Sequence, residues 1–164
     1  MNRLTLLMLT VSTLAAPLST AHAQNGRILD FPLVTVGAIE IRGGGTINPQ
    51  TGTLRTGGQF RAVQDITAGP LAGLKAGDGV RWQAAEFLPS APFKCDGSEP
   101  AQTVTAGPNT FVMHVLFFTR GDGNDASFQA NVFVSTTDQD PLASGVQNIW
   151  IQGVGCAVAQ VTIR

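Results

Sequence analysis

Glycine and proline recur along nearly the whole chain and divide it into short apolar stretches, which constrains the fold more than any other feature. The 19 glycines and 9 prolines are scattered rather than clustered, as expected for turns between short strands. The pattern predicts an all-β fold, an antiparallel sandwich or barrel of roughly eight to ten strands. Of the two we expect the antiparallel β-sandwich, immunoglobulin-like or jelly-roll-like, with one disulfide.

The clearest element is a strand pair in the second half of the chain. Residues 110–119 (TFVMHVLFFT) are almost entirely apolar, and residues 127–135 alternate between apolar and polar side chains. Residues 120–125 connect them and are rich in Gly, Asp and Asn, which favours a β-hairpin. Because the first strand is apolar on both faces, we expect it in the centre of a sheet.

Shorter runs of β-branched and aromatic residues predict the other strands. We place these strands at 34–41, 53–55, 59–66, 93–95, 145–151 and 156–163. Residues 80–88 fit a strand or a short helix, because the run contains helix-favouring alanines. The remaining features are an extended lead-in at 24–32, a strand break at 43–45, a bulge or kink at 57–58, and one helical turn at 71–75 inside the loop 68–79.

The N-terminus has the three parts of a secretion signal. Arg3 precedes an apolar run over residues 4–18, and Ala21-His22-Ala23 provides small residues at a cleavage site. We therefore predict a cleaved signal peptide at 1–23 and a mature protein, secreted or periplasmic, that is one β-sandwich domain over 24–164 without a transmembrane segment. The alternative is an N-terminal membrane anchor, for which this run is shorter than the roughly 20 residues required.

The expected export bears on the redox state of the two cysteines, Cys95 and Cys156. An oxidising compartment favours a disulfide between them. In the chain-entropy model, closing the loop between them stabilises the folded protein by about 4 kcal/mol. The alternative is a pair of buried free thiols.

Charge and histidine content exclude several functions. Without Arg3, nine of the 10 basic residues remain against 11 acidic ones, and no basic cluster is available for nucleic acid. His114 is the one histidine after cleavage, too few for the usual zinc or copper sites. A Ser-His-Asp triad needs only one histidine, so the histidine count does not exclude it. However, no G-x-S-x-G motif is present, and the apolar neighbours of His114 indicate a packed residue. Glu40, Glu86 and Glu99 form no recognisable glycosidase pair.

The sequence contains two candidate binding sites. Asp122, Asn124 and Asp125 place oxygen ligands in a glycine-rich turn and could bind calcium, the one cofactor considered. The alternative is that these residues only shape the turn. Trp82 and Trp150 could stack on sugar rings of a ligand, or both could be core residues between apolar neighbours.

Five motifs together resemble a family of small exported bacterial β-proteins. They are GPLAG (69–73), GVRW (79–82), FKC (93–95), GDGN (121–124) and GVQNIWIQGVGC (145–156). The resemblance covers most of the chain from about residue 43 onward. It implies a β fold and attaches no activity to it.

These features favour a non-enzymatic binding or structural module that recognises an unknown protein or glycan through loops such as 68–79 and 120–126. The alternatives are a calcium-assisted or carbohydrate-binding module, a hydrolase without a recognisable motif, and an adhesin or pilus subunit that accepts a donor strand.

Overall fold

A computed structural model describes residues 26–164, and the expected signal peptide at 1–23 lies outside the described residues. Within this range the chain forms eleven β-strands and no helix. The strands are β1 (Arg27–Val36), β2 (Ile39–Asn48), β3 (Thr53–Ala62), β4 (Arg81–Phe87), β5 (Ser90–Phe93), β6 (Gln102–Thr105), β7 (Thr110–Phe118), β8 (Phe128–Ser135), β9 (Ile149–Ile151), β10 (Gly155–Ala157) and β11 (Thr162–Ile163).

Nine strands form one antiparallel sheet in the order β10-β9-β8-β7-β4-β3-β2-β1-β11, and β5 and β6 form a second, two-stranded sheet. The large sheet curls so far that β1, near one end, contacts β9 and β10 at the other. The small sheet packs on the outer face of β7, β8 and β9. The prediction of an all-β antiparallel fold with one disulfide is confirmed, and two packed sheets are consistent with a β-sandwich.

The main core fills the inside of the curl. Because side chains alternate along a strand, β7 directs every second residue inward, and each of these is fully buried: Phe111, Met113, Val115 and Phe117. Neighbouring strands contribute in the same way, and Phe60 meets Phe117 edge to face at 5.0 Å between ring centroids. Burial of these apolar side chains is the main stabilising term.

A second cluster lies between the two sheets. Val112, Phe133 and Trp150 point outward from the large sheet and are covered by Ala91, Phe93 and Val104 of the small one. This cover explains why Val112, on the outer face of β7, is apolar and fully buried. The prediction that β7 is central, between β4 and β8, is confirmed, as is its hairpin with β8.

The glycine-rich stretches are not interruptions, so the expected break at 43–45 and the expected bulge at 57–58 are wrong. Gly43 pairs with Gly58 and Gly44 with Gly57 in a continuous register between β2 and β3. At Gly43 and Gly58 the absence of a side chain makes room for Trp82 of β4, because a Cβ atom at either position would collide with its indole.

Other boundaries also differ from expectation. The run 34–41 contains a tight turn, since Val36 pairs with Ile39 and Gly37 adopts φ +50°, so the expected lead-in at 24–32 is largely strand β1. The run 156–163 divides into β10 and β11, and β11 pairs with β1. The run 80–88 contains strand β4 (Arg81–Phe87), with an irregularity between Ala84 and Glu86. The expected helical turn at 71–75 is a hydrogen-bonded turn without helix.

Candidate functional site

A cleft of about 470 Å³ opens where the small sheet meets the edge of the large one. One wall is the end of β5 with the start of the β5–β6 connection, residues 92–97, and the other is Trp150 with residues 153–155. Apolar side chains such as Phe93 and Val154 line it beside the charged Lys94 and Asp96. A concave apolar surface with a few polar groups has the composition of a ligand site.

Aromatic packing fixes the position of this cleft. Phe93 meets Phe133 edge to face at 5.1 Å between ring centroids, and Phe133 stacks on Trp150 at 5.9 Å. The indole Nε1 of Trp150 donates a hydrogen bond to the carbonyl oxygen of Lys94 at 2.9 Å. The three rings and this bond hold the β5 wall against the large sheet.

A disulfide fixes the same wall covalently. Cys95 and Cys156 are bonded, with 4.8 Å between their Cα atoms, so the predicted pairing is confirmed. The bond ties the β5–β6 connection to the edge strand β10. A disulfide of this kind indicates an oxidising, non-cytoplasmic compartment.

The two tryptophans are packed as core residues. Trp82 is 2% exposed and Trp150 is 3% exposed, and each donates its indole N–H to a backbone carbonyl, of Arg42 and Lys94 respectively. An open ring face, which sugar stacking needs, is therefore not offered by either residue. Trp150 nevertheless contributes to the lining of the cleft, whereas Trp82 lies against Phe31 inside the curl.

Next to the disulfide, two carboxyl groups from separate segments meet. Asp140, in the loop between β8 and β9, is fully buried, and Glu99 lies in the β5–β6 connection. Asp140 Oδ1 accepts hydrogen bonds from the amide group of Gln102 and the backbone N–H of Leu142. Asp140 Oδ2 and Glu99 Oε2 are buried without a hydrogen-bond partner among the residues described.

The surroundings of Glu99 favour its protonated form. Burial raises the pKa of Glu99 above its ordinary value of 4.5, and the charges of Asp140 and Asp96 raise it further. Ligand atoms of Glu99, Asp140 and Cys95 lie within 4.8 Å of one another, but the oxidised sulfur of Cys95 is not available as a thiolate for a metal. No sequence motif links residues 99 and 140, so this pair could be found only from the fold.

The turn expected to bind calcium is organised by its own hydrogen bonds. Asp122 accepts bonds from the backbone N–H of Thr119 at 2.6 Å and from the hydroxyl of Ser127 at 2.7 Å, and from two further donors of the same residues. These donors lower the pKa of Asp122. Asn124 and Asp125 are exposed in the same turn. An ion at Asp122 would therefore have to displace bonds that shape the turn.

His114 lies on the outer face of β7 and is partly exposed, contrary to the expected packed position. Its chain neighbours Met113 and Val115 face the core, so strand alternation turns the imidazole outward. The ring nitrogens contact carboxamide oxygens of Asn131 at 3.0 Å and Gln129 at 2.9 Å. These two contacts raise the pKa of His114. Because both nitrogens are engaged, this arrangement differs from that of a catalytic base bonded to a serine.

The loop 68–79 is partly a structural element. Leu71 and Leu74 are fully buried, and Gly69 packs against Gly153 of the β9–β10 turn. This loop covers one end of the core, so its free surface is smaller than its length suggests. The β8–β9 loop, by contrast, presents Leu142 and Val146 to solvent, with exposures of 65% and 46%.

The fold and cleft define an all-β, disulfide-bonded protein with a candidate ligand site. No protein-family model, no curated protein and no solved structure matches the chain. Within residues 26–164, none of the secondary structure is a helix of the length and apolarity needed to span a membrane.

Proposed function

We propose that this chain is a secreted or periplasmic, non-enzymatic binding module whose ligand occupies the cleft beside the Cys95–Cys156 disulfide. The observation that carries the proposal is the cleft itself, an open concavity of about 470 Å³ with apolar walls. Export is supported by the leader-like N-terminal sequence and by the disulfide.

The cleft is suited to binding because its walls are held before any ligand arrives. The disulfide and the Phe93–Phe133–Trp150 packing restrain the β5 wall, and a preorganised site loses little conformational entropy on binding. Apolar walls beside the charged Lys94 and Asp96 favour a compact group with an apolar face and polar substituents. A short peptide segment of a protein partner, with an apolar side chain and a polar backbone, has this chemistry, and so does a sugar ring.

Carbohydrate binding is the second candidate, and the position of Trp150 in the cleft lining favours it. The packing of Trp150 argues against ring stacking on it, because its side chain is 3% exposed and lies on Phe133. In a calcium-assisted variant of this candidate, the turn of Asp122, Asn124 and Asp125 would hold the ion.

The substitution Gly97→Phe tests the cleft with little risk to the fold. Gly97 lines the cleft, and a Cβ at this position would meet no atom within 4 Å. Gly107→Phe is the matched control, because a Cβ at Gly107 would also have open space around it and Gly107 does not line the cleft. Neither glycine adopts positive φ.

The probes are a glycan array and an array of short peptides, screened with the oxidised protein. We expect a wild-type hit on one of them that Gly97→Phe abolishes and Gly107→Phe retains. A peptide hit would identify a protein partner, and a glycan hit the carbohydrate alternative. Binding that is retained in Gly97→Phe would place the ligand outside the cleft. Absence of wild-type binding on both arrays would count against a binding module.

A further inference from the structure

Glu99 and Asp140 bring two acidic groups close together, and one shared proton would remove the repulsion between them. Each carboxyl group has one buried oxygen without a hydrogen-bond partner, Glu99 Oε2 and Asp140 Oδ2. Ligand atoms of the two groups lie within 4.8 Å of each other, and although Glu99 is half-exposed, each group has one oxygen shielded from water, so two ionised carboxylates here repel each other. One proton between the two oxygens removes one negative charge and gives both orphan oxygens a hydrogen bond at once.

The groups facing this pair offer no compensating positive charge. Asp96 of the same connection adds a further negative charge. Gln102 of β6 and the backbone of Leu142 donate to the other oxygen of Asp140, and the nearby disulfide does not titrate. Asp138, in the Asp140 loop, is occupied in accepting bonds from the backbone N–H groups of Asp140 and Gln147. Within residues 26–164 the ion pairs found are Arg61 with Glu40 and Lys75 with Asp65, neither at this site.

We propose that Glu99 and Asp140 share one proton, and that this proton latches the β5–β6 connection to the β8–β9 loop until rising pH removes it. The two carboxyl groups belong to different segments, residues 94–101 and 136–148, and the amide of Gln102, the first residue of β6, also donates to Asp140. Loss of the proton leaves two negative charges within 4.8 Å of each other beside the disulfide. The segments then separate, while the covalent bond keeps the connection attached to β10.

The direction in which stability changes with pH follows from the raised pKa of Glu99. The folded protein retains a proton at Glu99 that the unfolded chain releases near the ordinary value of 4.5. The stabilising contribution is therefore complete below that pH and is lost as pH rises through the higher folded-state value. Between the two values, the equilibrium for opening the latch shifts by up to about tenfold per pH unit.

A cation is a poorer occupant of this position than a proton. Calcium takes six to eight oxygen ligands in proteins, and the pair provides two orphan oxygens. The experiment nevertheless includes calcium, because a bound divalent ion would neutralise the same charges.

NMR titration of the oxidised, ¹³C-labelled wild-type protein in EDTA measures the proton directly, and Glu99→Gln assigns the Glu99 signal. We expect the Glu99 carboxyl carbon to titrate above pH 4.5. Over the same range the Leu142 amide, corrected for intrinsic exchange, should lose hydrogen-exchange protection, while the Ile149 amide of β9 keeps it. A Glu99 titration at or below the ordinary value, or unchanged Leu142 protection, would overturn the proposal.

Glu99→Gln also tests the latch as a functional substitution, since its carboxamide can donate a hydrogen bond to Asp140 at every pH. We expect its Tm to be less dependent on pH than that of the wild type above pH 4.5. Asp125→Asn, a change at an exposed carboxylate outside this site, should keep the wild-type dependence on pH. Equal pH profiles for Glu99→Gln and wild type would refute the latch. A rise in wild-type Tm with millimolar calcium chloride at alkaline pH, absent in Glu99→Gln, would assign the site to a cation instead.

Discussion

Trp82 lies directly against Gly43, two strands away in the sheet, and a Cβ at residue 43 would overlap its indole ring. The indole extends from β4 across Gly58 of β3, and its Nε1 donates to the carbonyl oxygen of Arg42 at 2.9 Å. Gly43 of β2 and Gly58 of β3 thus leave a space that one large side chain fills. This packing explains why a glycine-rich segment forms a regular strand rather than a loop.

Substituting Gly43 by alanine should destabilise the protein, because the added methyl group meets both the indole and a backbone carbonyl of β3. Overpacking of this kind costs about 1–3 kcal/mol. Urea unfolding of the wild type and variant measures the difference. The control is Gly107→Ala, where a Cβ has open space. Equal midpoints for Gly43→Ala and Gly107→Ala would contradict the packing described.

The disulfide should contribute strongly to stability. Cys95 and Cys156 are separated by 61 residues, and closing a loop of this size lowers the entropy of the unfolded chain by an amount worth about 4 kcal/mol. The double substitution Cys95→Ala/Cys156→Ala should lose stability of that order in guanidinium unfolding. A reducing agent should lower the stability of the wild type and leave the double variant unchanged. An effect of the reductant on the double variant would point to a cause other than the bond.

The sequence was most informative where local pattern and burial agree. The β7–β8 hairpin has a strand apolar on both faces, an alternating partner and a Gly/Asp/Asn connection, and its central position follows from those features. The cysteine pairing was predictable because a chain with two cysteines and a leader-like N-terminal sequence allows one intramolecular bond. In the hairpin a short stretch of chain contains the whole physical argument, and for the disulfide the number of cysteines does.

The errors arise where a distant residue decides the outcome. Gly43 looks like a strand break until Trp82 covers it, and β11 finds its partner in β1 at the opposite end of the chain. The candidate site was hidden for the same reason. Its cleft depends on how the small sheet lies on Phe133 and Trp150, and the carboxyl pair depends on two loops meeting, which no local pattern encodes.

Asp122 should stabilise its turn in a pH-dependent way. The backbone N–H of Thr119 and the hydroxyl of Ser127 hold the pKa of Asp122 below its ordinary value of 3.8. A lowered folded-state pKa gives stability that is present above the ordinary value and is lost as pH falls through the folded-state value. Asp122→Ala should therefore lower the Tm at neutral pH, and the difference from wild type should shrink below pH 3.8.

Asp125→Ala is the matched control for that turn, since Asp125 lies in it and contributes its backbone N–H to the carbonyl oxygen of Asp122. It should change the Tm less than Asp122→Ala, and thermal unfolding monitored by circular dichroism compares the two. Equal losses for both variants would show that the Asp122 carboxylate has no special role in the turn.

Phe93 should control the attachment of the small sheet. The side chain is 2% exposed and contacts both Phe133 at 5.1 Å and Trp150 at 6.1 Å between ring centroids. Phe93→Ala removes the largest side chain that β5 contributes to this cluster, and a buried Phe→Ala change costs about 3–5 kcal/mol. The main core lies on the other side of the large sheet. We therefore expect Phe93→Ala to lower the stability of the small sheet more than that of the rest of the protein, in addition to lowering the global free energy of unfolding.

Amide hydrogen exchange distinguishes these two effects. In Phe93→Ala, protection should fall most in β5 and β6 and least in β2 and β3, whose side chains pack inside the curl. Phe128→Ala is the comparison, because Phe128 packs against the main core, and it should leave the relative protection of β5 and β6 unchanged. Uniform loss of protection in both variants would mean that the small sheet and the curled sheet unfold as one unit. The cleft wall would then be as rigid as the core itself, because opening it would require unfolding the protein.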